Sequence, residues 1–252
     1  MGTTYNLTNP EIRHFHKLRS TCNTSVDPKN PDHRVKLTGL QKLLWALKNL
    51  QDDLPNFDQH KAPEKTPAIQ TFKSEHWKSF GFQSQFPCTD FRGGGTFSLN
   101  NLIFFAEERG ESVEEMTRPE NGFLFAVSSI NISYFLKVYF HLADFLEYSK
   151  DRAVFSKRRG FKNFCGFLAK DPDLMHELHH FLLEELFRNW IHIKEEFNAN
   201  IIQFGVALDH VKDTFKKIWN ARSYVTIKEF YTRYEKKKRA ISSMPPMFLP
   251  SS

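Results

Sequence analysis

Two stretches of this chain place reactive residue types at spacings that could do chemistry. In His176-Glu177-Leu178-His179-His180, two histidines four apart would share one helical face and could hold zinc, with the glutamate as base. Catalytic zinc usually needs a third protein ligand. Glu195, on the same presumed helix, would lie roughly 22 Å along the axis from His180 at about 1.5 Å per residue. Leu183 and Leu186 stand where the longer zinc-protease pattern requires glycine and histidine. In a segment so rich in His and Glu the match reads as chance, and neither a metal nor a cofactor is expected.

The second stretch runs from Trp77 to Gly95 and is followed by Leu99 and Leu102. Trp77, Phe82 and Phe91 can anchor an otherwise irregular segment, and Gly93, Gly94 and Gly95 after Arg92 remove every side chain that would crowd the backbone. A guanidinium can then project. Thr89 and Asp90 can hydrogen-bond nearby amides or orient the arginine. The competing structural reading, which residue types alone favour, is that Arg92 pairs with Asp90 or caps carbonyls inside a glycine-rich turn. Gln83 reads as a buried amide that satisfies loop backbone.

These residues must be positioned by helices. Leu37, Leu40, Leu44, Leu47 and Leu50 recur at three- and four-residue spacing, one buried stripe that Trp45 broadens. Thr96 can cap a helix whose Leu99, Leu102, Ile103 and Ala106 share a face, ending near Gly110 with a loop through Pro119 to follow. Asp171-Pro172 opens a helix that continues through Leu174, Leu178, Leu182, Leu186 and Trp190 and can reach Phe197. Val211, Phe215, Ile218 and Trp219 mark another, and Thr226 with Glu229 makes a capping box for the last. No alternating strand pattern competes, so the fold class is all-α. Before residue 35, with Pro10, Pro28 and Pro31, at most a short helix near Glu11 to Leu18 is expected, and residues 51–70 read as a linker or surface loop.

Composition sets the limits. With 252 residues, 40% of them hydrophobic and 26 of them phenylalanine, the chain can bury a sizeable aromatic core. Its 35 Lys and Arg against 29 Asp and Glu leave a modest excess of +6, most of it a solvated surface. The dense basic run Lys236-Lys237-Lys238-Arg239 precedes a Pro- and Ser-containing end that reads as a frayed tail. The widely spaced Cys22, Cys88 and Cys165 suggest neither a disulfide framework nor a thiolate zinc site, which fits a reducing compartment. Three sequons, at Asn6, Asn23 and Asn131, carry little weight without an apolar signal segment, and Asn6 stands where a myristoylation signal requires Ser or Thr. The apolar stretch from Phe123 to Leu146 meets Lys137 after only about 14 uncharged residues, short of a membrane span, and reads as a buried helix.

The glycine-rich stretch closely resembles the signature of the ELMO domain, W-x3-G-F-Q-x3-P-x-T-D-F-R-G-x-G-x3-L-x2-L. Every fixed position is present, from Trp77, Gly81, Phe82 and Gln83 through Pro87, Thr89, Asp90, Phe91, Arg92, Gly93 and Gly95 to Leu99 and Leu102. Leu40 to Leu47 and Phe125 to Ile132 extend the likeness. It divides the chain into an N-terminal extension (1–35), an ELMO domain (36–234) and a basic tail (235–252). Ser84, Phe86 and Leu124 depart from residues common in the family, which bears on partner identity more than on activity.

The resemblance implies a single helical domain and a function. Short, stand-alone ELMO-domain proteins that keep the arginine, here Arg92, act as GTPase-activating proteins for Arf and Arf-like small GTPases. Longer members lack it and scaffold exchange factors for Rac, which is the alternative. On the first reading Arg92 is an arginine finger oriented by Asp90 and Thr89. Gly93 and Gly95 give backbone clearance, and Trp77, Gly81, Phe82, Gln83 and Phe91 scaffold the loop or meet the partner. The partner would be a GTP-bound Arf or Arf-like protein. The nucleotide and magnesium would sit on that partner, since the chain has no GxxxxGK[ST] loop. A cytoplasmic location with some peripheral membrane contact follows, and no nucleic-acid partner is expected.

Overall fold

A computed structural model describes residues 9–53, 72–143 and 159–242. In chain order the helices are α1 (Asn9–Thr21), α2 (Pro31–Leu47), the single turn α3 (His76–Ser79), α4 (Gly95–Glu108) and α5 (Gly110–Met116). Then come α6 (Phe125–Tyr139), α7 (Arg159–Leu168), α8 (Leu174–Phe197), α9 (Phe204–Ala221) and α10 (Ile227–Ser242). No strand occurs among the described residues, and the fold is all-α.

Packing follows the apolar faces. Leu37, Leu40, Leu44 and Trp45 of α2 are buried against α4, which in turn packs on α6, and α6 on α8. On the other side α8 and α7 cover α9, and α10 closes over α9. One core runs without a break from Phe15 to Tyr234. Aromatic pairs knit it: Phe140 stacks on Phe164 at 4.0 Å, and Trp219 meets Phe215 at 5.3 Å and Phe230 at 4.9 Å.

Local signals explain most boundaries. Asn30 caps α2 by accepting from the amides of Asp32 and His33, with Pro31 in the first turn. Asp171 accepts the Asp173 amide at 2.9 Å, yet α8 begins at Leu174, two residues past the expected start, and it does reach Phe197. At α10 the Glu229 amide donates to Thr226 Oγ1, whereas the Glu229 carboxylate takes the amide of Val225 rather than that of Thr226.

Several expectations need correction. α1 is longer than expected and lies on α7, with Phe15 meeting Phe161 at 5.3 Å. Thr96 caps nothing: it sits buried inside α4, and its amide donates to the Thr24 carbonyl at 2.8 Å. The expected loop from Gly110 to Pro119 holds α5, which buries Val113 and Met116. The basic run lies on α10, where Lys238 pairs at 2.6 Å with the buried Glu185. Most of the 51–70 stretch and everything after Ser242 lie outside the described residues. No helix among those described is long and apolar enough to cross a membrane.

Candidate functional site

The Trp77 to Gly95 segment is irregular in sequence but tightly held. Trp77, Phe82 and Phe91 are buried in a chain of edge-on contacts, Trp77 to Phe82 at 5.0 Å and Phe82 to Phe91 at 6.0 Å. Trp77 also meets Trp45 of α2 at 4.7 Å, and its indole N–H donates to the Phe72 carbonyl at 2.7 Å. These rings root the segment in the core.

Two glycines of the loop stand at positive φ with no room for a side chain. Gly81 has φ +81, and a Cβ there would stand 2.6 Å from the Phe125 amide nitrogen. That closeness has a use: the carbonyls of Phe80 and Gly81 accept from the amides of Ala126 at 2.9 Å and Val127 at 3.3 Å. The loop therefore satisfies donors at the start of α6 that the helix itself leaves open. Gly95 has φ +62, and a Cβ would come within 2.3 Å of the Thr24 carbonyl oxygen. Gly93 is different, because its Cβ would make only an ordinary contact, 3.4 Å, with the Tyr134 ring.

Pro87–Arg92 forms a 3-10 turn whose last residue is Arg92. Asp90 Oδ2 accepts the Gln83 amide at 2.7 Å, and Thr89 Oγ1 donates to the Phe86 carbonyl at 2.8 Å, so both side chains fix the turn. Burial pushes the Asp90 carboxyl above the ordinary range, opposed by its bond from Gln83, by Thr89 and by the nearby Arg92 charge. The carboxylate does not pair with the arginine. Arg92 Nε instead donates to the Thr89 backbone carbonyl at 2.7 Å, and no carboxylate lies within ion-pair distance of it among the described residues. Arg92 is exposed.

Beside it lies a hollow of about 210 Å³. The loop contributes Gln83, Thr89, Asp90, Arg92 and Gly93, and α6 contributes Val127, Ile130, Asn131 and Tyr134. Those four α6 residues recur at three- and four-residue spacing, one helical face. Tyr134 is 39% exposed, so the wall carries a large aromatic open to solvent. Gln83 is exposed, which overturns the expectation of a buried amide. The α6 wall was not singled out from sequence, where an exposed apolar stripe and a buried one have the same spacing.

The histidine cluster is elsewhere and internal. His179 Nε2 lies 2.9 Å from Ser129 Oγ in the core, and Phe104 stacks on His176 at 4.5 Å. Burial pushes His179 down to about 3 and His180 to about 4. Among the described residues no three or more His, Cys, Asp or Glu converge where an ion could be held.

The model of the ELMO/CED-12 family matches residues 16–208. ELMO domain-containing protein C of Dictyostelium discoideum is 26% identical over 197 residues, 78% of this chain and 28% of that protein. ELMO domain-containing protein 1 of Bos taurus is 28% identical over 207 residues, 71% of this chain and 55% of the relative. ELMO domain-containing protein 2 of Mus musculus is 28% identical over 123 residues, 47% and 36% of the two chains. The chain thus spans between about a quarter and about half of these three relatives. No solved structure matches it.

Proposed function

The chain belongs to the ELMO/CED-12 family, and from that premise we propose that it stimulates GTP hydrolysis by an Arf or Arf-like small GTPase, with Arg92 as the arginine finger. The observation that carries this reading is the state of the guanidinium. It is exposed at the end of a firmly held turn, with Nε engaged by the Thr89 carbonyl and no carboxylate among the described residues paired with the fork. The two terminal amino groups can then meet phosphate oxygens.

Hydrolysis places growing negative charge on the β–γ bridging and γ-phosphate oxygens of the partner's nucleotide. A planar, permanently charged fork inserted there offsets that charge, and such fingers accelerate hydrolysis by about 10³ to 10⁵. Asp90 and Thr89 hold the turn that presents Arg92, Gly81 and Gly95 let the chain take its course, and Gly93 keeps the approach open. Trp77, Phe82 and Phe91 tie the loop to the core. Gln83 lines the hollow but needs no catalytic role, since the GTPase supplies its own water-positioning glutamine. The exposed Tyr134 and the half-buried Val127 of α6 give the GTPase an apolar surface beside the finger.

On this reading residues 36–234 form the ELMO domain, 1–35 and 235–252 extend it, and the protein works in the cytoplasm with peripheral access to membranes. The test is single-turnover GTP hydrolysis across a panel of Arf and Arf-like proteins, with wild-type chain and Arg92→Lys. Stimulation by the wild type that the variant loses supports the finger. Binding without stimulation would move the protein to a scaffold role.

A further inference from the structure

The turn between α8 and α9 offers a second surface, independent of Arg92. Trp190 meets Phe204 at 5.3 Å and Asn189 donates to the Ala207 carbonyl at 3.3 Å, so the two helices run antiparallel and the turn is the end of their hairpin. Phe197 is 39% exposed there, Ile201 50%, Ile202 87% and Val206 53%. These are four of the seven large hydrophobics found exposed among the described residues, gathered within ten positions of sequence. A cluster of that kind marks a contact rather than a scatter of surface leucines or valines.

Two features of the turn say what it contacts. No ionisable residue occurs from Phe197 to Leu208. Four of its backbone amides are also paired within the turn. The Asn200 amide donates to Gln203 Oε1 at 2.8 Å, the Ile202 amide to Asn200 Oδ1 at 2.9 Å, and the Gln203 amide to the Asn200 carbonyl at 2.9 Å. The Phe204 amide returns to the Ile201 carbonyl. A protein partner could complete open amides with groups of its own. Hydrocarbon cannot, and any donor carried into it unpaired is costly. An uncharged tip of apolar side chains, with these amides already paired, is a form that the interfacial layer accepts.

We propose that the α8–α9 tip is a membrane wedge, which seats Ile202, with Ile201, Val206 and Phe197 around it, in the interfacial layer of a lipid bilayer. The charges that flank it are mixed: Lys194, Glu195 and Glu196 on α8, and Asp209, Lys212 and Asp213 on α9. Lys194 is already engaged with the Glu120 carbonyl. Attraction to anionic headgroups therefore contributes little, and apolar insertion carries the binding.

The test is flotation of the full chain with vesicles of phosphatidylcholine alone and with added phosphatidylserine, each at about 0.1 M and 0.5 M NaCl. The wild type binds phosphatidylcholine vesicles, and salt does not release it. Ile202→Asp lowers the partition coefficient by about tenfold or more and leaves the melting midpoint unchanged. Ile202→Trp retains or strengthens binding, and its emission shifts to the blue on adding vesicles. Trp45, Trp77, Trp190 and Trp219 are already buried and report nothing new. If Ile202→Asp does not fold, the tryptophan shift decides alone. Absence of wild-type flotation overturns the proposal. So does binding that requires phosphatidylserine and is lost in salt, which assigns it to the basic run on α10. A wild-type dimer that Ile202→Asp dissociates, with no vesicle binding, assigns the tip to a second copy of the chain.

Discussion

Replacing Trp77 with alanine tests how the Arg92 loop is held. The ring is fully buried, edge-on to Trp45 at 4.7 Å and to Phe82 at 5.0 Å, with its N–H on the Phe72 carbonyl at 2.7 Å. Truncating a buried tryptophan to alanine costs about 3–5 kcal/mol, including the cavity left behind. Losing the indole donor to a backbone carbonyl adds about 1 kcal/mol. At roughly 2–4 °C per kcal/mol for a domain of this size, the midpoint should fall by about 10–20 °C. Circular dichroism melting at constant pH reads it, with Trp77→Phe as a control that keeps a ring, loses the N–H and falls by less. Because Trp77 also seats Phe82, and Phe82 seats Phe91 next to Arg92, GTPase stimulation should decline at temperatures where the variant is still folded. A drop of less than about 4 °C would refute the view that aromatic burial carries this loop.

Further outcomes follow from other contacts. Arg92→Lys keeps the charge but loses the planar fork; the melting midpoint should change little, GTPase binding should persist, and the hydrolysis rate should fall by about 10³ or more, a split read in single-turnover kinetics. Gly95→Ala should destabilise by about 2–4 kcal/mol, since it forces a side chain into a left-handed backbone and against the Thr24 carbonyl, whereas Gly93→Ala should stay within about 0.5 kcal/mol. Equal midpoints for the two variants would contradict that account. Acid should weaken the fold through His179 and His180. Their folded values of about 3 and about 4 lie below the unfolded 6.5, so the unfolded chain takes up protons first and stability falls as pH drops below 6.5 towards 4. Each then contributes about 1.4 kcal/mol of loss at pH 5.5, and a midpoint equal at pH 8 and pH 5.5 would exclude the effect.

What was legible in the sequence is what depends on periodicity or on a long fixed pattern. The Leu37–Leu40–Leu44 stripe and the helix around Val211 to Trp219 appear because one face of each is buried, and α8 because its apolar face is buried from Leu174 to Trp190, although its last turns to Phe197 are not. Short or context-dependent features did not. α5 has seven residues and no side-chain cap, so its apolar pair, Val113 and Met116, is too sparse to outweigh a reading as loop. Thr96 has the chemistry of a cap, but Gly95 at positive φ lets the chain bend back to Thr24, and that tertiary bond takes the amide. Gln83 is exposed for a related reason: Asp90, seven residues on, accepts its backbone amide, and its side chain is left to the hollow. Tyr134 was invisible as a site residue because its spacing from Val127 and Ile130 is that of any core-facing helix.

The contacts around Arg92 bear on whether its side chain serves the fold or a partner. Its hydrogen bond, from Nε to the Thr89 backbone carbonyl, lies on an exposed residue and is worth about 1–2 kcal/mol, less than Trp77 contributes alone. A structural arginine would be expected to close an ion pair with the nearest carboxylate, yet Asp90 is turned to the Gln83 amide. Asp90 and Thr89 hold the turn through bonds of their own, while Arg92 caps the Thr89 carbonyl, the second of the two structural roles the sequence left open to it, and keeps its terminal amino groups exposed. The carbonyls of Phe80 and Gly81 bond to the first amides of α6, so the loop bearing Arg92 and the helix bearing Tyr134 are locked to one another. A finger needs that arrangement, because a contact made fully only in the transition state gains most when its direction is set beforehand and no stronger partner must first be given up.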